Sequence, residues 1–199
     1  MQKYKILIMS DTEILKKFSV EQLKERFSDI DFILGAGDLS YEYLDYVFTV
    51  LNRDLIFVNG NHVYQRKHNI EFLKNIDGKI INYKGLKIVG FDGSRVYSYK
   101  EHQYSELQMF FRILKLVPSL LIKKADIVLT HAPPRRIHDK EEQVHKGFKV
   151  FLHFIDYFKP KLWIHGHIHL KSHFEMQETE YKGTKVINAY GYKVIEFEK

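Results

Sequence analysis

Apolar and polar positions along the chain alternate between two kinds of segment. Residues 4–9 form an apolar run broken by Ser10-Asp11, the pattern of a buried strand. Residues 14–27 place Leu15, Phe18, Leu23 and Phe27 near helical spacing, which predicts a helix. Phe32-Ile33-Leu34 predicts a second strand that ends in Gly35-Ala36-Gly37-Asp38, and a helix follows over Tyr41–Leu51. Leu55–Val58 is a third strand running into Asn59-Gly60-Asn61-His62. Three such units in succession point to a parallel sheet with crossover helices.

The second half mixes its signals. Residues 79–82 and Leu86–Phe91 flank Lys84-Gly85, as in a hairpin. Residues 105–121 predict a long helix with Pro118 as the point of interruption. Ile127-Val128-Leu129 reads as a buried strand ending at Thr130-His131. Residues 147–158 put Phe148, Phe151, Phe154, Ile155 and Phe158 on one helical face, which is core packing. Residues 161–164 predict a strand leading to His165-Gly166-His167. Thr184–Asn188 and residues 193–197 read as a closing antiparallel pair around Tyr190-Gly191. No repeat, low-complexity tract or linker interrupts the series, so one domain over residues 1–199 is expected.

Composition narrows the class. The chain is 45% hydrophobic and 15% aromatic, enough for a large core and too much for global disorder. Charges interrupt every apolar run well before the ~20 residues of a spanning helix. The apolar run Ile6-Leu7-Ile8-Met9 is too short for a signal peptide. Cysteine is absent, which excludes disulfides, thiolate metal sites and a cysteine nucleophile, and a cytoplasmic protein is expected. Lysine and arginine outnumber aspartate and glutamate by 31 to 25, a balance that suits phosphorylated substrates or nucleic acid as well as an ordinary soluble protein.

The chemistry gathers where strands end. Asp11, Asp38, Asn61-His62, His131 and His167-Ile168-His169 each follow a predicted strand. Ligands of open α/β sheets bind beyond the carboxyl ends of the strands, so these residues are expected on one rim. Carboxylate, amide oxygen and imidazole together suit first-row metals, and the set is too large for one ion. It suits two ions about 3.5–4 Å apart that share a water acidic enough to serve as nucleophile. Taken singly each element has an ordinary reading: Asp11 or Asp38 as a helix cap, Gly60-Asn61 as a turn, His131 as a loop histidine. Their recurrence at successive strand ends carries the signal.

The motifs resemble those of the calcineurin-like metallophosphoesterases, whose signature runs D-x-H, G-D, G-N-H-[DE], H and G-H-x-H. Here they stand as Asp11-Thr12-Glu13, Gly37-Asp38, Gly60-Asn61-His62-Val63, His131 and Gly166-His167-Ile168-His169. His131-Ala132-Pro133-Pro134 and His145-Lys146-Gly147 further resemble a small prokaryotic, single-domain branch of that family. The resemblance implies an α/β fold: a two-sheet sandwich of mixed sheets flanked by helices. It implies Asp11 and His169 on a first metal, Asn61, His131 and His167 on a second, Asp38 bridging, and His62 assisting the leaving oxygen. The activity implied is metal-dependent phosphoester hydrolysis, a diester rather than a monoester, with a small phosphate ester such as a nucleotide as substrate. A nuclease acting on DNA or RNA is the alternative within enzymes. A binding or scaffold protein that kept the fold and lost the chemistry is the alternative outside them.

Two positions depart from the signature. Glu13 replaces the first-motif histidine; as a ligand it would make the set richer in oxygen and favour Mn or Mg over Zn, with Fe and Ni also possible. Its ordinary reading is an acidic residue opening a helix. Val63 replaces an acidic residue and cannot support His62 as an acid. Arg135, Arg136 and His145 are candidates for holding substrate phosphate, with His138 and Lys140 beside them and Arg66, Lys67 and His68 after the Asn61-His62 motif. Tyr97, Tyr99 and Tyr104 are candidates for stacking on a base. His165 and His173 are not expected to bind metal.

Overall fold

A computed structural model of the protein describes residues 2–62, 73–172 and 174–199. The elements run β1 (Lys3–Ser10), a 3-10 turn (Ile14–Lys17), α1 (Val20–Arg26), β2 (Phe32–Ala36), α2 (Tyr41–Leu51), β3 (Leu55–Val58), β4 (Lys74–Asn75), β5 (Lys79–Tyr83), β6 (Leu86–Phe91), β7 (Ser94–Arg95), β8 (Gln103–Tyr104), α3 (Glu106–Leu114) and α4 (Val117–Ile122). They continue with β9 (Ile127–Thr130), a 3-10 turn (Gln143–His145), α5 (Lys149–Phe158), β10 (Leu162–His165), β11 (Gln177–Tyr181), β12 (Thr184–Asn188) and β13 (Gly191–Glu198).

Two mixed sheets face each other. The first has strand order β13-β1-β2-β3-β4 and the second β11-β12-β10-β9-β6-β5, with a two-stranded ribbon of β7 and β8 beside them. Strands β1, β2 and β3 are parallel, as the repeating strand-helix units predict. Side-chain alternation sorts each strand between two layers. Ile6 and Ile8 of β1 meet Ile127, Leu129 and Ile164 between the sheets, while Leu7 and Met9 face Leu23, Tyr43 and Val47 outside the first sheet. Val89, Val128 and Trp163 face Met109, Phe151 and Phe154 outside the second, so the aromatic face of α5 is core. The order of layers is helix, sheet, sheet, helix.

Three expectations are corrected. The helix predicted over residues 14–27 is a 3-10 turn and a separate α1, because Phe18 is extended and Ser19 starts a new helix as N-cap, its side chain and that of Gln22 forming a capping box. The helix predicted over 105–121 breaks after Leu114, and Pro118 lies in the first turn of α4, where a missing N–H costs nothing. The expected closing pair does not form. β12 pairs with β10 and β11 in the second sheet, whereas β13 pairs antiparallel with β1 in the first, so the short step through Ala189 and Tyr190 crosses between sheets. Among the described residues no helix is long and apolar enough to cross a membrane.

Candidate metal centre

Five of the parallel strands carry the candidate ligands at their carboxyl ends, three from the first sheet and two from the second. Beyond β1, β2 and β10 the chain turns sharply, and Asp11, Asp38 and His167 take left-handed backbone conformations at φ 63°, 53° and 67°. Such conformations are costly for residues with a Cβ and persist only where the surroundings impose them. They turn three polar side chains back over the strand ends. Two glycines make room. A Cβ on Gly60 would overlap the Asp38 carboxylate, and one on Gly166 would come within 2.6 Å of Asp11 Oδ2.

The donor atoms converge. One ligand atom each from Asp11, Asp38 and His131 lie within 4.8 Å of one another. His131 Nε2 is 3.1 Å from Asn61 Oδ1, 3.2 Å from His167 Nδ1 and 3.3 Å from Asp38 Oδ2. His169 Nε2 is 3.6 Å from Asp11 Oδ1.

The hydrogen bonds behind these atoms fix what each presents. His131 Nδ1 lies 2.9 Å from the Ala36 carbonyl, which only accepts, so Nδ1 carries hydrogen and a neutral ring presents a lone pair at Nε2. His167 Nε2 donates to the Val144 carbonyl at 2.7 Å, which leaves Nδ1 as a lone pair. Asn61 Nδ2 donates to the Tyr97 hydroxyl at 3.0 Å, which directs Oδ1 inward. Asp38 Oδ1 accepts from the His62 backbone N–H at 2.9 Å, and Oδ2 faces the cluster. With His131 neutral, two imidazole lone pairs, an amide oxygen and a carboxylate oxygen therefore crowd one buried point without a hydrogen-bond donor among them. Only a cation satisfies that arrangement, and these nitrogen and oxygen atoms fit a divalent metal.

Without a metal the cation is a proton. Burial disfavours charge on His131, but Asp38 and Asp11 override it and raise its pKa to about 9. Burial likewise opposes ionisation of Asp38, and the charge and hydrogen bond of His131 hold its carboxyl well below the usual range. Burial, with the His131 charge added, lowers His167 to about 4. The hydrogen bond to Asp11 raises His169.

The chain is similar to known proteins. The calcineurin-like phosphoesterase family matches residues 4–171. The chain belongs to that family. Calcineurin-like phosphoesterases are dinuclear metal enzymes in their general chemistry, and the acceptor cluster at the strand ends gives this member its metal-binding character. Among solved structures, TT1561 of Thermus thermophilus is similar at 14% identity with a TM-score of 0.64, over 96% of this chain and 90% of that one. A hypothetical protein of the same organism is similar at 14% identity and a TM-score of 0.52, over 92% of this chain and 74% of that one. These two likenesses establish the fold. An archaeal phosphodiesterase is similar at 17% identity and a TM-score of 0.46, over 97% of this chain and 99% of that one. No curated protein matches the sequence.

The residues singled out in the sequence divide into groups. Asp11, Asp38, Asn61, His131, His167 and His169 come together as described. His62 stands at the mouth, its side chain 68% exposed and its Nε2 3.8 Å from Asp38 Oδ2, so the carboxylate beside it is Asp38. Glu13 is engaged elsewhere: one oxygen accepts from the Ser40 hydroxyl and the other from Lys16 Nζ at 2.5 Å. Burial would raise its pKa, and those two partners lower it instead. Arg135 is locked into its own loop, donating to Asp139 at 2.7 Å and to both oxygens of Glu141 at 2.8 and 2.7 Å. That fork has its partners within the chain, and a phosphate would have to displace a carboxylate. Arg136 is exposed; its backbone N–H donates to Asp139 at 2.8 Å, and its charge acts on Glu141. The His145 ring lies 5.7 Å from that of His167, with Nδ1 3.0 Å from Glu142. His165 is fully buried, and both its ring nitrogens are engaged outside the cluster, by the Gly166 carbonyl and by His138. Val63, Arg66, Lys67, His68 and His173 lie outside the described residues.

Tyr97 and the Val144 carbonyl hold two of the donors in place and had no sequence signal for that part. Tyr97 falls within the ribbon loop, where Gln103 Oε1 accepts from its backbone N–H at 3.1 Å.

Proposed function

We propose that the protein is a metal-dependent phosphodiesterase. The observation that carries this is the buried convergence of His131 Nε2, His167 Nδ1, Asn61 Oδ1 and Asp38 Oδ2, four atoms of metal-ligating type. Asp11 and His169 would hold one divalent ion and Asn61, His131 and His167 a second, with Asp38 available to both. Manganese suits this oxygen-containing, thiolate-free set best, with Fe, Ni, Zn or Mg as substitutes. When bound, the ions supply Lewis acidity and lower the pKa of a shared water.

The chain's own residues do the rest. Asp38 is held at both oxygens and fixes the centre of the site. His62, exposed at the mouth, gives a proton to the ester oxygen as the P–O bond breaks, and the water oxygen takes that place on phosphorus. Left-handed Asp11, Asp38 and His167 keep the donors preorganised, so little rearrangement is needed as charge develops on the phosphoryl oxygens. Glu13 orders Ser40 and Lys16 beside the site. A diester is favoured because the centre is open on the His62 side and adjoins a cleft on the Asp11 side, which leaves room for both ester arms.

The test is hydrolysis of bis-p-nitrophenyl phosphate against p-nitrophenyl phosphate by chelated protein reconstituted with Mn, Ni, Zn or Mg. Turnover of the diester restored by Mn, and reduced at least ~100-fold by Asp38→Ala, is expected. Absence of turnover with every ion, despite metal binding, would favour the scaffold reading. Activity on nucleic acid that falls steeply with salt would favour the nuclease.

A further inference from the structure

A cleft of about 520 Å³ opens beside the metal centre, lined by Thr12, Glu13, Ile14, Lys17, Lys171 and Tyr190. Its wall neighbours the centre at two places. Thr12 and Glu13 directly follow Asp11. Tyr190 lies against the ring of His169, with centroids 5.1 Å apart. The cleft is thus on the Asp11–His169 side, whereas His62 stands beside Asp38.

Its charge is distinctive. The one carboxylate in the wall, Glu13, is neutralised by Lys16. Lys17 and Lys171 are exposed, and among the described residues neither ammonium has an ion-pair or hydrogen-bond partner. Thr12 adds a buried hydroxyl that also lacks a partner. The Glu175 carboxylate accepts from the Lys171 backbone N–H at 3.2 Å and leaves the ammonium unpaired. The wall therefore combines two unpaired ammonium groups, an unpaired hydroxyl and the ring of Tyr190.

From this we infer that the cleft binds the retained arm of the phosphodiester, and that this arm carries a second anionic group, a phosphate, held by Lys17 and Lys171. The inference rests on the phosphodiesterase reading and adds the substrate class to it. With the leaving oxygen on the His62 side, the other ester arm extends toward Asp11 and into the cleft. A nucleotide-like arm places its ring against Tyr190 and its remote phosphate between the lysines.

Two esters that differ only at the remote position test the inference: the p-nitrophenyl ester of thymidine 5′-phosphate, with and without a 3′-phosphate. Both release p-nitrophenol and retain the nucleoside. The 3′-phosphorylated ester is expected to have a KM about tenfold lower, as two exposed ion pairs allow. The preference should fall to about unity in Lys17→Ala/Lys171→Ala and persist in Lys24→Ala, which removes an exposed charge on α1 away from the cleft. Equal KM values in the parent protein, or a preference that survives the double substitution, would overturn the inference. If neither ester is hydrolysed with any ion, the phosphodiesterase reading fails, and calorimetry with thymidine 3′,5′-bisphosphate against thymidine 5′-phosphate judges the cleft separately. Tighter binding of the bisphosphate that depends on Lys17 and Lys171 supports the anion site, and equal binding removes it.

Discussion

The orientation of one amide decides what the centre presents. Tyr97 accepts from Asn61 Nδ2 and so keeps Oδ1 on the cluster side. A flipped amide would put donors against the metal position. Tyr97→Phe should weaken Mn binding by about tenfold in titrations of chelated protein, the usual cost of losing a group that orients a ligand. Unchanged affinity would mean that the ribbon loop fixes Asn61 by other contacts. The donors themselves were legible in the sequence because each breaks an apolar run at a strand end. Tyr97 was not, because Tyr97, Tyr99 and Tyr104 share a stretch with no periodicity and look like a stacking surface. Glu13 holds a motif position that suggests a ligand; Lys16, three residues on, engages one of its oxygens, and Ser40, which engages the other, is brought beside it only once α2 is placed.

Elements were most legible where apolar runs are continuous, as in β1, β2, β3 and β9. The polar strand β11, Gln177–Tyr181, gave no such signal, since most of its side chains face solvent at the edge of the second sheet. The tail misled because sequential strands usually pair and Tyr190-Gly191 reads as a tight turn. Besides its antiparallel pairing with β12, β11 is tied down by a chain of neutral histidines. His165 Nδ1 donates to the Gly166 carbonyl, His138 Nδ1 donates to His165 Nε2 at 2.8 Å, and Thr179 of β11 donates to His138 Nε2 at 2.9 Å. Burial lowers His138 from 6.5 to about 4. Between those values the unfolded chain takes up a proton that the folded chain refuses, so stability is full above 6.5 and is lost as the pH falls toward about 4. Melting temperature should therefore drop between about pH 7 and pH 5, and His138→Gln should be less stable at neutral pH with a shallower drop. An unchanged slope in that variant would assign the acid sensitivity to other groups.

At the scale of the whole molecule, the donor set draws on both sheets: Asp11, Asp38 and Asn61 from the first, His131, His167 and His169 from the second. A bound ion therefore links the two halves of the sandwich. Mn at about 100 times its dissociation constant should raise the melting temperature of chelated protein by about 5–10 °C, with the rise abolished by Asp38→Ala. A melting curve indifferent to Mn would mean that the acceptor cluster keeps its proton instead. β1 and β13 share eight residue pairs, from Lys3 with Glu198 to Ser10 with Gly191. They lie far apart in sequence, and β13 is the outer strand of the first sheet. Whenever β13 is not docked, the strand that leads to Asp11 has a bare hydrogen-bonding edge. That is the form in which a folding helper has a strand to hold and a stray neighbour has one to steal.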